Sequence, residues 1–234
     1  MALLLSEADV KQLLTMQIAL AAVEDSFRRL ADGSALLHSR QRLHIPGKSY
    51  LHYMAAADAT SGYMGMKIYT SAREGLRFLV PLFHVDSGEL LALIEADYLG
   101  QIRTGAASGV ATRLLARADA EKIGIIGTGL QSRTQLEALA LVRKITGVRA
   151  FSRNPEHRER FAKEMTEQLG FPVIAAASAQ EAVRDADIVV TSTTSTNPVL
   201  DGSWLAPGMH VNAIGANFPQ KHELDGEAIP RYWP

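Results

Sequence analysis

The spacing of hydrophobic residues changes its period between the first and second halves of the chain. Near the N-terminus, apolar residues recur at helical spacing from Val10 until Gly33 stops them, and Ser6 with Asp9 forms a capping pair. This pattern predicts one amphipathic helix. Further along, the chain predicts strands at 50–57, 64–69, 78–85 and 90–95, followed by a helix at 97–117. Consecutive strands with short joints and no helices between them predict an antiparallel sheet.

The second half alternates strands with helices. Its predicted strands and helices are 123–127, 148–152, 155–169, 173–176, 179–184, 188–191 and 210–214. This order is typical of an α/β fold with a parallel, doubly wound sheet of the Rossmann type. We expect the boundary near 118–121, which gives an N-terminal α+β domain at 1–119 and a dinucleotide-binding domain at 120–234.

A glycine-rich segment ends the first strand of the second half, and its sequence is Gly127-Thr128-Gly129-Leu130-Gln131-Ser132. Gly127 would permit a tight turn, and Gly129 would let the backbone approach a pyrophosphate at the N-terminus of the next helix. Ser132 stands where G-x-G-x-x-G has its third glycine. The strand before and the helix after favour a nucleotide site over a glycine turn that serves packing alone.

The end of the second Rossmann strand bears on the choice of cofactor. A carboxylate at that position would bind the 2′-hydroxyl of NAD, but the strand ends in Phe151-Ser152-Arg153-Asn154. A hydroxyl and a guanidinium suit a 2′-phosphate, so we expect NADP(H) to be favoured over NAD(H). The alternatives are that Arg153 is a solvated residue and that Glu156 turns inward.

Composition excludes several classes of function. With a net charge of −1 and 21% charged residues, the 234-residue chain suggests no nucleic-acid partner. It has no apolar run of 18 residues, and acidic residues come too early for a signal peptide, so we expect a cytoplasmic protein without a membrane partner. There is no cysteine, and the seven histidines have no metal-ligand spacing, so we expect no metal.

Three motifs together resemble the ornithine cyclodeaminase/mu-crystallin family. The first is Ile102-Arg103-Thr104-Gly105-Ala106-Ala107-Ser108, and the second is the glycine segment. The third is Val211-Asn212-Ala213-Ile214-Gly215-Ala216-Asn217, followed by Pro219, Lys221 and Glu223-Leu224-Asp225. The resemblance runs in register from the first helix to about Asp225.

This resemblance implies an N-terminal substrate-binding and dimerisation domain beside a Rossmann domain, with the nicotinamide between them, and a homodimer. The family includes ornithine cyclodeaminase, alanine dehydrogenase and reductases of cyclic ketimines. Their shared chemistry is hydride exchange between a nicotinamide and the α-carbon of an amino or imino acid. We therefore expect a small-molecule substrate of that class.

Cations in the first half suit such a substrate, because a guanidinium binds a carboxylate with two parallel hydrogen bonds. Arg42 and Arg103 match the family positions for this role, and Lys67 matches its active-site lysine beside the reacting nitrogen. Arg103 and Thr104 are also expected near the nicotinamide. The alternative is that these cations are surface charges.

Other residues are expected to bind the cofactor. Positions beyond the strand ends should line its cleft, and these are Thr191, Thr193, Val211, Asn212, Ala213 and Ile214. Gly127, Gly129, Leu130 and Gln131 in the glycine segment, Ser152, Arg153 and Lys221 complete the expected set. Asn212 has an alternative role as a structural amide that closes a turn.

Asn217 changes the expected reaction. The deaminating member of the family has an aspartate there that handles protons, and an amide cannot exchange a proton near neutral pH. Reduction of a preformed imine needs that acid less, so imine reduction or amino acid dehydrogenation outranks cyclodeamination. The family threonine that contacts cofactor also has no clear counterpart within Glu74-Gly75-Leu76-Arg77.

Length is the second departure from the family. Family members run on by about a third more chain, which supplies another Rossmann strand and a C-terminal segment that returns to the first domain. Here the sequence stops at Ile229-Pro230-Arg231-Tyr232-Trp233-Pro234, so we expect that segment to be missing. Two further functions stay open: an ornithine cyclodeaminase, and a non-catalytic NADPH-binding protein like mu-crystallin.

Overall fold

We describe the fold from a computed structural model, which describes residues 1–72, 75–216, 218 and 220–229, with Ala72 described by its backbone alone. The chain divides into two compact units, Met1–Arg103 and Thr104–Pro234. This division falls earlier than the boundary between 119 and 120 that the sequence suggests, and that boundary stays a prediction.

Two helices replace the single N-terminal helix predicted from spacing, and that prediction is wrong in this respect. They are α1 (Glu7–Leu13) and α2 (Met16–Asp32). Between them, Thr15 caps α2 by accepting a hydrogen bond from the Ile18 N–H at 3.3 Å. The capping pair at Ser6 and Asp9 is confirmed, because each side chain accepts from the other residue's backbone N–H.

A seven-stranded sheet makes up most of the first unit. Its strands are β1 (Leu3–Leu5), β2 (Ala35–Leu37), β3 (Gln41–Ile45), β4 (Ser49–Asp58), β5 (Tyr63–Ala72), β6 (Gly75–His84) and β7 (Leu90–Glu95). The order is β1-β7-β6-β5-β4-β2, and β3 pairs with β4. All pairs are antiparallel except β1 with β7, so the expected antiparallel sheet is confirmed, with β1, β2 and β3 added to it. Helix α3 (Asp97–Leu115) follows.

The second unit contains a five-stranded parallel sheet. Its elements are β8 (Lys122–Ile126), α4 (Leu130–Val142), β9 (Gly147–Phe151), α5 (Pro155–Leu169), β10 (Val173–Ala175), α6 (Ala179–Val183), β11 (Ile188–Thr191), a 3₁₀ turn (Gly202–Trp204) and β12 (His210–Ala213). The strand order is β10-β9-β8-β11-β12, with every pair parallel. The expected Rossmann-type α/β fold is confirmed.

Burial explains why polar and apolar residues do not alternate along β8. Ile123 and Ile125 are at most 2% exposed, and they pack in one core with Leu136 and Leu139 of α4 and Phe161 of α5. Ile126, on the other face, packs in a second core cluster, and a strand covered on both faces reads as a continuous apolar run. This central strand delivers the chain to the carboxyl edge of the sheet, where ligands bind in such folds.

Within the described ranges, we find no helix with the length and hydrophobicity needed to cross a membrane. The expected cytoplasmic location stays a prediction.

Candidate functional site

The glycine segment forms a sharp elbow between β8 and α4. Gly127 has a positive φ of 110°, and a Cβ there would overlap the carbonyl oxygen of Ser192. Gly129 caps α4 without a side-chain hydrogen bond, and a Cβ there would point into open space. The first N–H groups of α4 are therefore accessible to an anionic group, and the backbone fits the close approach of a pyrophosphate.

Ser132 is fully buried and donates a hydrogen bond to the carbonyl oxygen of Gly127 at 2.8 Å. The hydroxyl thus ties the first turn of α4 back onto the elbow. This contact gives a physical reason for a serine where the usual fingerprint has its third glycine.

A cavity of about 610 Å³ opens beside the elbow. Its lining includes Gly127, Gly129, Ser152, Arg153 and Thr193, all of which the sequence predicts to bind cofactor. Several other predicted residues do not line this cavity in the described part of the chain, and these are Leu130, Gln131, Thr191, Val211, Asn212, Ala213, Ile214 and Lys221.

Hydrogen bonds hold the end of β9 beside this cavity. Ser152 accepts a hydrogen bond from the Thr128 hydroxyl at 2.9 Å, and Arg158 donates to the Ser152 carbonyl at 3.0 Å. Arg153 and His157 line the cavity and remain exposed. No carboxylate is found in the cavity lining over the residues described, and Glu156 is exposed outside it.

The side chain of Asn212 contacts helix α3 and β12 and does not close a turn. It is buried, and its amide donates to the Thr112 hydroxyl at 2.9 Å and lies 3.2 Å from Nε2 of His210. The assignment of its backbone to the cofactor stays a prediction, as does that of Val211 and Ala213.

Four further residues that the sequence predicts to bind cofactor lie outside the described cavity lining, in different surroundings. Ile214 donates its N–H to the Thr191 carbonyl at 3.0 Å. The ammonium of Lys221 lies 5.6 Å from the ring centre of Phe218. Leu130 is 65% exposed, and Oε1 of Gln131 is buried without a hydrogen-bond partner among the residues described.

Glu223 is a buried residue to which sequence reasoning assigned no role. It is 2% exposed and accepts hydrogen bonds from Thr191 and Thr193. Thr191 is therefore buried against this carboxylate. The only signal in the sequence was a glutamate within the third family motif.

The first unit contains a group of cations, Arg40, Lys67 and Arg103. Lys67 lies in β5 with its ammonium 5.4 Å from the ring centre of Tyr69 and 5.8 Å from that of Phe78. Burial first, then the charges of Arg103 and Arg40, lower the pKa of Lys67 to about 8. The side chain is half-buried, so it is not a simple surface charge.

Arg40 was missed by the sequence reasoning. Its guanidinium carbon lies 6.0 Å from the ring centre of Tyr69, and its Nε is buried with no hydrogen-bond partner in the described part of the chain. Burial and the charge of Arg40 also lower the pKa of Arg103. Arg103 remains exposed to solvent, so water screens part of this repulsion.

Arg42 is expected to bind the substrate carboxylate, and this role stays a prediction. It lies in β3, all of which is exposed, opposite His52 of β4. Burial first, then the charges of Arg42 and Arg40, lower the pKa of His52. The charges that act on Lys67 are those of Arg103 and Arg40, so the structure adds Arg40 to the cations that the sequence suggested.

An aromatic ladder supports these cations. Consecutive ring centres lie 4.1, 5.6, 4.3 and 4.7 Å apart along His44, Tyr50, His52, Tyr69 and Phe78. The ladder crosses four adjacent strands, so its rings provide a continuous flat surface. Cations over aromatic faces keep their charge while losing water.

Arg40, Lys67 and Arg103 have no ion pair with a carboxylate in the described ranges. Because their charges are unbalanced and partly desolvated, an anion such as a substrate carboxylate would stabilise them. Three predicted positions or segments lie wholly or partly outside the described residues: Asn217, Pro219 and the segment that includes Glu74.

Comparison with known proteins gives a consistent family. The model of the ornithine cyclodeaminase/mu-crystallin family matches residues 1–232. A Delta(1)-pyrroline-2-carboxylate reductase from Bacillus cereus is 41% identical over 175 residues, which cover 72% of this chain and 54% of the relative.

Two solved structures are also similar. Delta(1)-pyrroline-2-carboxylate reductase from Thermococcus litoralis, in complex with NADH and L-proline, has a TM-score of 0.92 and 34% identity, covering 97% of this chain and 73% of that one. An archaeal alanine dehydrogenase dimer with bound NAD has a TM-score of 0.91 and 35% identity, covering 97% of this chain and 71% of that one.

The cation group predicts a graded response of Lys67. We expect Arg103→Met to raise the pKa of Lys67 above 8, and Arg40→Met to raise it by less, following the order of their influence. Both variants should stay below 10.5, because burial remains. NMR titration of a ¹³C-labelled Lys67 side chain measures this directly. Arg42→Met is the control, and a larger shift there than in Arg40→Met would contradict the assignment of Arg40.

Proposed function

The chain belongs to the ornithine cyclodeaminase/mu-crystallin family, and from that premise we propose that it is a nicotinamide-dependent reductase of a small or cyclic α-imino acid. The same enzyme would act in reverse as an amino acid dehydrogenase. The observation that carries the proposal is the group of Arg40, Lys67 and Arg103, which has no carboxylate ion pair among the described residues. The relatives' reductase and dehydrogenase activities support it.

We assign the substrate carboxylate to Arg40 and Arg103. A guanidinium offers two parallel N–H donors, and the burial of Arg40 Nε strengthens an ionic hydrogen bond to that side chain. Arg42 is retained as a secondary candidate at the exposed edge of the same group. Its charge reaches His52 in the aromatic ladder.

Lys67 has the protonation state needed beside the imine nitrogen. With a pKa of about 8, its ammonium is mostly protonated near neutral pH but gives up a proton more readily than an ordinary lysine. It can therefore hold a proton at the substrate nitrogen, which makes the α-carbon electrophilic. The nicotinamide, when bound, supplies or receives the hydride.

The residues around the elbow fit a dinucleotide. The open N-terminus of α4 would hold the pyrophosphate, and Gly127, Gly129, Ser152 and Thr193 line the cavity around it. Thr104, Leu130, Gln131 and Lys221 stay in the proposed cofactor set on family resemblance. Asn217 stays proposed as the residue whose amide disfavours cyclodeamination.

The activity test compares several imino acid substrates, and it compares the Lys67→Ala variant with a lysine control variant. We expect oxidation of NADPH or NADH with pyrroline-2-carboxylate or with pyruvate plus ammonia, because each presents an α-imino acid. Lys67→Ala should lower kcat by about 10²- to 10⁴-fold, as for loss of a positioned proton donor. Nicotinamide absorbance measures both.

Lys48→Ala is the matched control, since Lys48 is exposed in the same unit. Turnover of ornithine to proline and ammonia would favour the cyclodeaminase alternative instead. Cofactor binding without turnover of any imino acid would favour the non-catalytic alternative.

We also propose that the cavity favours NADP(H) over NAD(H). Arg153 and His157 line it, and the described lining contains no carboxylate to accept a ribose 2′-hydroxyl. An exposed guanidinium beside the held Ser152 suits a 2′-phosphate. The two solved relatives contain NADH and NAD rather than NADP(H). The preference of this chain therefore has to be measured directly.

Replacing Arg153 should separate the two cofactors. We expect Arg153→Ser to raise the Kd of NADPH by about tenfold or more, because an ionic hydrogen bond is lost, and to leave the Kd of NADH nearly unchanged. Fluorescence titration measures both constants. Arg160→Ser serves as a control, since Arg160 is exposed on α5 outside the cavity lining. Tighter binding of NADH by the unmodified protein would refute the preference.

A homodimer is the proposed assembly, and the archaeal relative that is a dimer supports it. On the sheet face opposite Lys67, Leu43 of β3 pairs with Leu51 of β4, and Ile45 and Leu79 lie on the same face. These four side chains are 36–60% exposed. An apolar strip of this kind is typical of a surface covered by a partner, here a second copy.

A charge on that strip should break the dimer. We expect Leu43→Asp to shift the protein from dimer to monomer in sedimentation velocity, because it buries an unpaired carboxylate at the contact. Leu141→Asp, an equally apolar and 46% exposed position on α4, should leave the dimer intact. A monomeric unmodified protein, or a dimeric Leu43→Asp variant, would show that this face is not the interface.

A further inference from the structure

Glu223 lies in the segment that follows β12, and its backbone is fixed beside residues 199–200. The N–H groups of Val199 and Leu200 donate to its carbonyl oxygen at 2.9 and 3.0 Å. Leu224 forms a parallel bridge with Leu200, so the segment runs as a short extension beside it. The side chain of Glu223 is 2% exposed.

The carboxylate joins the ends of β11 and β12. One oxygen, Oε1, accepts from the N–H of Thr193 at 2.6 Å and from its hydroxyl at 2.8 Å. The other, Oε2, accepts from the Thr191 hydroxyl at 3.0 Å and from the Gly215 N–H at 2.6 Å. Four donors from two separate loops therefore converge on one side chain.

This carboxylate has no ion pair with a lysine, arginine or histidine within the part of the chain that the structure describes. A buried acid satisfied only by backbone and hydroxyl donors is expensive to keep, since taking an acidic group out of water costs free energy. A serine or an amide would hold one loop at lower cost. A glutamate, by contrast, has two acceptor oxygens and can hold the loops after β11 and β12 at the same time.

Close backbone contacts connect Glu223 with the elbow. A Cβ on Gly215 would overlap the Thr193 carbonyl oxygen and would lie 2.5 Å from Oε1 of Glu223. On the other side, a Cβ on Gly127 would overlap the carbonyl oxygen of Ser192. Residues 192–193 are thus held between the elbow and Glu223, with no room for either glycine to carry a side chain.

Residues 192–195 form one wall of the cavity beside the elbow. We propose that Glu223 is a positioning residue for the nicotinamide cofactor. Glu223 sets the distance between this wall and the elbow, and it does not line the cavity itself. The inference rests on the proposed function, because it assigns the cavity to that cofactor. It adds a residue and a mechanism of positioning to the site.

Glu223→Gln tests the proposal with little change of volume. The carboxylate accepts hydrogen bonds from the backbone N–H groups of Thr193 and Gly215. The amide nitrogen of glutamine cannot accept a hydrogen bond, so one of these two N–H groups would lose its acceptor. One loop should then move away. We expect the Kd of NADPH, and of NADH, to rise by about tenfold, while kcat at saturating cofactor and the KM for the imino acid change by less than about twofold.

Thr191→Val provides a second, independent variant. Thr191 is fully buried and outside the described cavity lining, so its hydroxyl can influence the cofactor only through Glu223 or the backbone. We expect a rise in cofactor Kd of about threefold. Glu227→Gln is the matched control, because Glu227 is exposed in the same C-terminal segment.

Fluorescence titration gives the dissociation constants, and thermal melting reports stability separately. A Glu223→Gln protein that melts earlier but binds cofactor with unchanged Kd would overturn the positioning role and leave the proposed function intact. If that variant does not fold, an unchanged Kd in Thr191→Val overturns it equally. If the unmodified protein binds neither NADPH nor NADH, the proposed function fails together with the inference.

Discussion

Close backbone contact at the carboxyl edge of the parallel sheet is the constraint on which the second unit depends. Strands β8 and β11 are neighbours, and the chain leaving β8 must turn at Gly127 directly against Ser192. The turn needs both a positive φ and the absence of a Cβ, which only glycine supplies without strain. Because the chain turns there, α4 begins with its N–H groups accessible, and the cavity opens beside them.

The same edge accounts for the polar residues buried nearby. Ser132 ties α4 back to Gly127, and Glu223 joins the ends of β11 and β12. In a region where strands end, backbone N–H groups lose their ladder partners and must find others. Side chains that accept hydrogen bonds from these N–H groups also fix the loops in place. The same contacts therefore pair the buried N–H groups and position the loops around the cavity.

The first unit uses electrostatics differently. Arg40, Lys67 and Arg103 repel one another, and burial adds to the cost of the charge on Lys67. The rings of Tyr69 and Phe78 offset part of that cost through cation–π contacts. A folded state that tolerates such a cluster is poised for an anion, since a bound carboxylate would relieve the repulsion.

Periodicity and motif spacing determined the parallel α/β half, the glycine elbow and the antiparallel sheet, and the resemblance of three motifs to a known family indicated the family. These features are local: each follows from residues that lie close together in the sequence, or from motifs in a fixed register. The contributions of Arg40 and Glu223 were decided only by tertiary structure. Arg40 and Arg42 are two residues apart and both charges act on His52, so alternation could not show that the charge of Arg40 also acts on Lys67. Glu223 meets Thr191 across 32 residues, and only the folded sheet brings those groups into contact. The split between α1 and α2 is a local feature that hydrophobic spacing missed, because the Thr15 cap starts a new helix within a continuous hydrophobic period.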